Sequence, residues 1–452
     1  MAGFTFYRIG LRSQKGFSSD HAGILLGSAS FIFVVLLFLF GHFWSPSLLV
    51  LLWWTSWFLI AITSNIGFPK PSDGLFLSFF TFAISFALGS LFPAFFNLSL
   101  ISPKNDFLFS YNLSFARWWA VVFVPILIYF WRKAAQIMSS DSFLAGRGSL
   151  IDFESNFHPV FGSSFIRNCI EVFAAGPLLY FSLFSFVYVL RDGRYFLPFV
   201  TCLGIFLYQS TELGRSQIYR TSLVLLFVLF FLTLHQRLHL STKKLFLGIL
   251  IFLLIVLYVV SATVSRFKNN PNASLTDVST ELQSYHTVGF ILYDSALSDQ
   301  TSPLNTELGY GRATFSGLWF PVTQIIRLFN KSYTSFLDKW YPYTAVSHDL
   351  GIRSETGKEF YFNAYYTMLF PFYLDFRIFG ICFFSFLLGF LTSCFFLAWL
   401  NTNSDFLFAS SLIFCIFCIM NIFQPLTQRV YFFSSFFLLV FVYFFSRNYA
   451  KS

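Results

Sequence analysis

The sequence predicts an all-α polytopic membrane protein with about 11 transmembrane helices (roughly 10 to 14 fit) and one large extramembrane loop. Three observations carry this expectation. Hydrophobic residues make up 56% of the 452 and charged residues only 11%, whereas a soluble domain carries roughly a quarter charged residues. Apolar runs of about 20 residues recur, the length a helix needs to cross a hydrocarbon core of about 30 Å; the ten-residue alternation of barrel strands is not the pattern here. Finally, the stretch 266–366 is polar, lies between two apolar segments, and holds most of the aromatic and charged residues suited to chemistry.

Taken in order, apolar spans are expected near 22–42, 48–66, 75–95, 118–131, 170–190, 195–208, 221–235 and 245–264, then near 378–400, 407–423 and 430–445. The spans at 195–208 and 221–235 are short and borrow flanking residues. Residues 1–20 are polar and basic, and the run after them is long enough to span, so a cleavable signal is not expected. No internal repeat or low-complexity linker divides the chain. It therefore reads as one membrane domain with an insertion: transmembrane helices in 1–265, a large loop at 266–366, and transmembrane helices in 367–452.

Orientation follows the basic residues. Arg191 and Arg194, then Arg237, Lys243 and Lys244, then Arg447 and Lys451 share one side, which the positive-inside rule makes the cytoplasm. The large loop then faces outward, as do the segment 132–167 and the connection holding Arg215 and Arg220. The N-terminal half fits worse, because it leaves Arg8, Arg12 and Lys15 outside. The net charge of +9 belongs to helix ends, where it orients the chain or meets phosphates. Nucleic-acid binding is excluded for want of a basic, aromatic-interleaved soluble module. All six cysteines lie in or beside apolar segments, so no disulfide framework is expected, and Cys415 and Cys418 read as small core residues.

The residues suited to chemistry cluster on the outer side. TELGRSQIYR at 211–220 opens a span, and Arg215 with Arg220 suits a diphosphate gripped by two guanidinium forks at a helix N-terminus. Interfacial anchoring, or pairing with Glu212, is the alternative. Arg266, just after a span, and Arg429, beside the last one, extend this ring of outward cations; Arg147 and Arg167 are weaker members. In the loop, GYGRA at 309–313 reads as a tight turn presenting Tyr310 and Arg312, and 315–329 as an amphipathic helix lying in the interface. WYPYTAVSHD at 340–349 combines rings that stack on sugars with groups that bond hydroxyls. His348 is a candidate general base, since histidine side chains change charge near working pH; His158 and His286 are weaker candidates. Asp375, beside an apolar span, needs a partner or water. Arg377 is placed to pair with it, and substrate contact is the alternative. No paired-His spacing points to a metal.

These features together resemble the O-antigen polymerase (oligosaccharide repeat unit polymerase) family of bacterial envelope polysaccharide synthesis. The resemblance covers most of the chain: PSLLVLLW at 46–53, FALGSL at 86–91, the GRSQIYR helix start at 214–220, and the order Asn363, Tyr366, Thr367, Asp375, Phe376, Gly380. The chain departs from the family with Arg377, where a glycine is common. The resemblance implies a metal-independent, cofactor-free glycosyltransferase of GT-C-like architecture in the bacterial inner membrane, its loop in the periplasm. It implies an undecaprenyl-diphosphate-linked glycan as donor, a lipid-linked repeat unit as acceptor, and a chain-length regulator as a possible protein partner. On this reading Arg215, Arg220, Arg266 and Arg429 hold the diphosphate. His348, Asp349 or Glu359 supplies the base. Tyr310, Arg312, Trp340, Tyr343, Asn363, Tyr366 and Asp375 contact sugar.

Two other functions compete. An O-antigen ligase shares the donor, the large loop and the outward arginines; the run from Asn363 to Gly380 favours the polymerase. A flippase or transporter for lipid-linked sugar needs charges deep in mid-span and matching halves, and neither is present in the sequence.

Overall fold

The computed structural model describes residues 45–63, 68, 71–96, 100, 102–140, 160–212, 216–235, 275–330, 332–345, 347–353, 359–363, 366–422 and 429–449. Among them, five helices are long and apolar enough to cross a membrane: Pro46–Thr63, Asp73–Phe95, Asn105–Ile137, Phe165–Asp192 and Leu369–Thr402. Shorter apolar helices run over Phe196–Thr211, Ile218–Leu234, Asp405–Met420 and Val430–Ser446. The protein is thus a helical membrane protein. The expected spans at 22–42 and 245–264 lie outside the described residues; every other expected span falls on one of these helices.

Local chemistry sets several of the boundaries. Ser72 starts the Asp73–Leu91 helix, its hydroxyl accepting from the Leu75 amide with Asp73 in the first turn; this satisfies an end donor and complements the helix dipole. The Gly176–Asp192 helix ends on Gly193 in the left-handed conformation, whose amide bonds back to the Val189 carbonyl. Just before that helix, a single π turn occupies Glu171–Ala175. Glu171 is buried there and pairs with Arg167 at 3.6 Å.

The chain forms two compact units. One gathers the described residues within Met1–Leu100, Ala273–Asn401 and Phe417–Gln428; the other, those within Ile101–Asn272, Thr402–Ile416 and Arg429–Ser452. The expected C-terminal block at 367–452 is therefore shared between the two units.

In the first unit, Trp54, Phe58, Phe79, Phe82 and Phe290 pack ring against ring, with Phe58 stacked on Phe79 at 3.9 Å. The Trp54 indole N–H finds the Cys418 carbonyl at 2.8 Å, which lets so large a side chain sit fully buried. Helices Asp73–Leu91 and Leu369–Thr402 cross with backbones touching. A Cβ on Gly89 would lie 2.0 Å from the Phe386 carbonyl oxygen, and one on Gly389 2.1 Å from that of Phe86. Small residues at a crossing permit this approach between membrane helices.

Phe290 belongs to a helix, Leu275–Ser298, that the sequence reading assigns to the extramembrane loop. In its second half Val288, Phe290, Ile291, Leu292, Tyr293 and Ala296 are buried. Polar residues in its first half, such as Thr276, Asp277, Ser279 and Thr280, hid this helix from a hydropathy reading.

In the second unit, Asn112 ties helix Asn105–Ser140 to Gly176–Asp192. It accepts from the Tyr180 hydroxyl at 2.6 Å and donates to Tyr188 at 3.1 Å. Arg191 donates twice to the buried Asp405, at 2.6 and 2.8 Å, a bidentate pair of the strong kind.

The described residues in the remainder of the expected loop include short elements: helices Ser316–Phe329 and Leu337–Ala345, then an antiparallel pair of strands, Ser347–Arg353 and Glu359–Asn363. The first of these is the expected amphipathic helix, with Val322, Ile325 and Phe329 exposed along it.

Candidate functional site

The loop is fastened to the membrane helices at one corner. Tyr310 and Gly311 take successive positive φ angles, 52° and 87°, and turn the chain as the GYG sequence predicts. The turn runs along the first part of helix Leu369–Thr402. The Gly309 amide donates to the Leu374 carbonyl at 2.9 Å, and the Tyr310 amide to the Asp375 carbonyl at 3.3 Å. The Asp375 side chain then accepts from the Ala313 amide at 3.0 Å and from the Thr314 amide at 2.6 Å. Gly309 is needed here, because a Cβ would lie 2.0 Å from Asp375 Oδ1.

This overturns both expectations for Asp375. Its carboxylate is fully buried and its oxygens are engaged by backbone amides, so it presents nothing to a sugar, and among the described residues it forms no ion pair with Arg377. Fixed amides beat the arginine because they reach both oxygens without losing side-chain entropy. Arg377 instead lies with its guanidinium 5.6 Å from the Tyr373 ring centre.

The aromatic residues assigned to a sugar path also form a core. Trp340 and Tyr366 are buried. Tyr366 packs on Phe370 at 4.5 Å, and Trp340 and Tyr343 lie against the same ring at 6.2 and 6.5 Å. The half-buried Tyr343 donates to Asp299 at 3.1 Å, and burial is the first cause that pushes its phenol above the ordinary range, with the Asp299 charge adding to it. These rings pack the loop onto residues 366–370. Tyr310 is exposed, and Arg312 is half-buried, its guanidinium 4.5 Å from the Phe336 ring centre and its Nε donating to the Gly309 carbonyl at 2.9 Å.

The three base candidates fall on the hairpin, where the backbone is described. His348 pairs with Phe362, Asp349 with Tyr361, and Glu359 with Arg353; Asn363 lies opposite Ser347. The hairpin brings these positions together from two sequence segments. His286, a weaker candidate, is stacked on Trp57 at 4.3 Å with Trp53 at its edge, 6.0 Å away. His158 lies outside the described residues. Among those described, no three or more of His, Cys, Asp and Glu gather to hold a metal ion.

Two of the four expected diphosphate-holding arginines, Arg220 and Arg429, are described, both in the second unit. Arg220, in the first turns of helix Ser216–Leu234, is buried; its guanidinium lies 4.5 Å from the Tyr431 ring centre and Nη1 donates to the Tyr431 hydroxyl. Tyr431 is the second residue of helix Val430–Tyr449, and Arg429 immediately precedes that helix. The starts of two helices thus meet with Arg220 and Arg429 beside them. Arg215 and Arg266 lie outside the described residues, as does Arg147, while Arg167 is engaged by Glu171.

Sequence reasoning passed over Arg377 as a site in its own right. The signal it carried was the substitution of a bulky cation where the resembled family commonly has glycine. No protein-family model, no curated protein and no solved structure matches this chain.

Proposed function

We propose that this protein is a membrane glycosyltransferase of the O-antigen polymerase type. It joins undecaprenyl-diphosphate-linked repeat units at the periplasmic face of a bacterial inner membrane. One observation carries this reading: the Arg220 guanidinium, fixed by the ring and hydroxyl of Tyr431, lies where the first turns of two helices meet and Arg429 stands at the start of the second. Helix starts attract anions through their free N–H groups and dipole, and guanidinium matches phosphate oxygens in a fixed fork. A lipid diphosphate is the anion suited to such a place at the membrane surface.

In the proposed reaction a hydroxyl of the acceptor sugar attacks the anomeric carbon of the donor glycan. The new glycosidic bond forms as the bond to the lipid diphosphate breaks, and a base takes the hydroxyl proton, a role for which the sequence offers His348, Asp349 or Glu359. Arg220 and Arg429, with Arg215 and Arg266, neutralise charge building on the departing diphosphate. Tyr310 and Arg312, which remain accessible, are the loop residues suited to sugar contact.

Glycan profiling of a deletion strain tests the reading. A lipid core carrying one repeat unit and no longer chains, restored by the wild-type gene but not by Arg220→Ala, is the expected result. A bare core with long lipid-linked chains accumulating would identify a ligase. An unchanged glycan ladder in the deletion strain would overturn the proposal.

A further inference from the structure

Arg377 occupies backbone that residues with a Cβ avoid. It has φ 56° and ψ −143°, follows Phe376 at φ −145° and ψ 25°, and interrupts the helix Leu369–Thr402 at this point. Glycine adopts such angles freely, while any other residue is strained there. Strain of this kind persists where the side chain it places is used.

The side chain is placed unusually. Its Nη1 is buried and has no hydrogen-bond partner among the described residues. No ion pair there involves Arg377 or Arg312. Asp375, two residues away, is engaged by Ala313 and Thr314. A buried guanidinium donor left unbonded is costly, more so than a neutral one. Its guanidinium lies 5.6 Å from the Tyr373 ring centre, and the nearby residues along the helix, Phe376, Ile378, Phe379 and Phe383, are all exposed. The turn bearing Arg312 and Tyr310 is stitched to the same corner, with Tyr310 edge-on to Phe376 at 6.4 Å.

A cation with an unpaired donor, on an apolar helix of membrane length whose neighbouring phenylalanines are exposed, matches a molecule that is anionic at one end and hydrocarbon at the other. We infer that Arg377 binds a phosphoryl oxygen of a membrane lipid, with the exposed phenylalanines taking the adjoining chain. The fork geometry suits phosphate better than a single ammonium would. Two lipids carry this chemistry, a prenyl diphosphate and an anionic phospholipid headgroup. Only the choice of the prenyl diphosphate rests on the proposed function; the site itself does not.

The test uses the purified full chain in a neutral maltoside detergent, titrated with undecaprenyl diphosphate or with phosphatidylglycerol, bound lipid being counted by native mass spectrometry. Arg377→Gln keeps the strained backbone and removes the charge, Arg377→Gly removes both, and Arg377→Lys keeps a point charge. The Gln and Gly variants are expected to bind about tenfold or more weakly, with Lys between them and wild type. The lipid-free melting temperature of Arg377→Gly is expected to rise. Weakening for the diphosphate alone supports the inference and assigns the substrate lipid. Weakening for both lipids supports a general headgroup site, and that result stands even if the deletion strain shows normal glycan. Unchanged binding of both lipids overturns it, and so does a lowered melting temperature in Arg377→Gly, which would make the arginine a support of the bend.

Discussion

Replacing Asp375 with alanine should free the loop while leaving the membrane helices folded. The carboxylate is fully buried and accepts two backbone amides, at 3.0 Å from Ala313 and 2.6 Å from Thr314. A hydrogen bond to a charged group contributes about 1.5–3 kcal/mol, so the pair contributes about 3–6 kcal/mol if additive. The two bonds share one carboxylate, which places the expected value near the lower end. Alanine also leaves both amides buried and unbonded, so the turn at 309–314 should open instead of collapsing onto the vacancy. About 3 kcal/mol corresponds to roughly a hundredfold change in an opening equilibrium. Hydrogen exchange on the detergent-purified chain measures this directly. The Ala313 and Thr314 amides should exchange about a hundredfold faster in the variant, with helix amides around Leu388 unaffected. Exchange changed less than about threefold at those two amides would refute the assignment of Asp375 as the fastening of the loop.

Other outcomes follow from the same structure. Arg220→Lys should keep the charge but lose the planar stacking on Tyr431 and the fork, giving shortened surface glycan with a normal amount of inserted protein; full-length glycan would count against a geometric role for the guanidinium. Gly389→Leu forces side chain into a place where even a Cβ would lie 2.1 Å from the Phe86 carbonyl oxygen. It should cost about 1–3 kcal/mol or more and lower the melting temperature, while the same substitution at Gly193, whose Cβ position is open, acts only through its φ of 65°. Asp294, held by the Ser72 amide at 2.8 Å and by the Ser72 hydroxyl, titrates above the ordinary carboxylate range, chiefly because burial disfavours its charge. A raised folded-state pKa means that the native state binds the proton first. Stability from this group is therefore gained as pH falls through the folded pKa and is fully present below the unfolded one. Melting temperatures from pH 7 to pH 4 should show wild type gaining on Asp294→Asn as the pH drops; a constant difference would contradict the shift.

Much of the architecture was legible because hydropathy is a local sum. Apolar runs of the right length announce their helices wherever they pack, and the GYG turn and the amphipathic stretch after it are likewise set by neighbours in sequence. The same local reading failed where a helix has a polar first half and a mostly apolar second half. Leu275–Ser298 averages out to a loop by composition, yet it seats Phe290 among Trp54, Phe58 and Phe79. It failed again for Trp340 and Tyr366, since an aromatic ring carries no mark in sequence that tells a core from a sugar platform; burial against Phe370 decides it.

By itself, the sequence determined that this is a helical membrane protein and where most of its helices lie. Only the tertiary structure decided what Asp375 and Arg377 do. Asp375 meets amides 61 and 62 residues away, and with its oxygens so engaged the neighbouring arginine keeps an unpaired donor on strained backbone. Which partner a buried charge obtains depends on what the fold brings within about 3 Å of it, and distance along the chain holds no record of that.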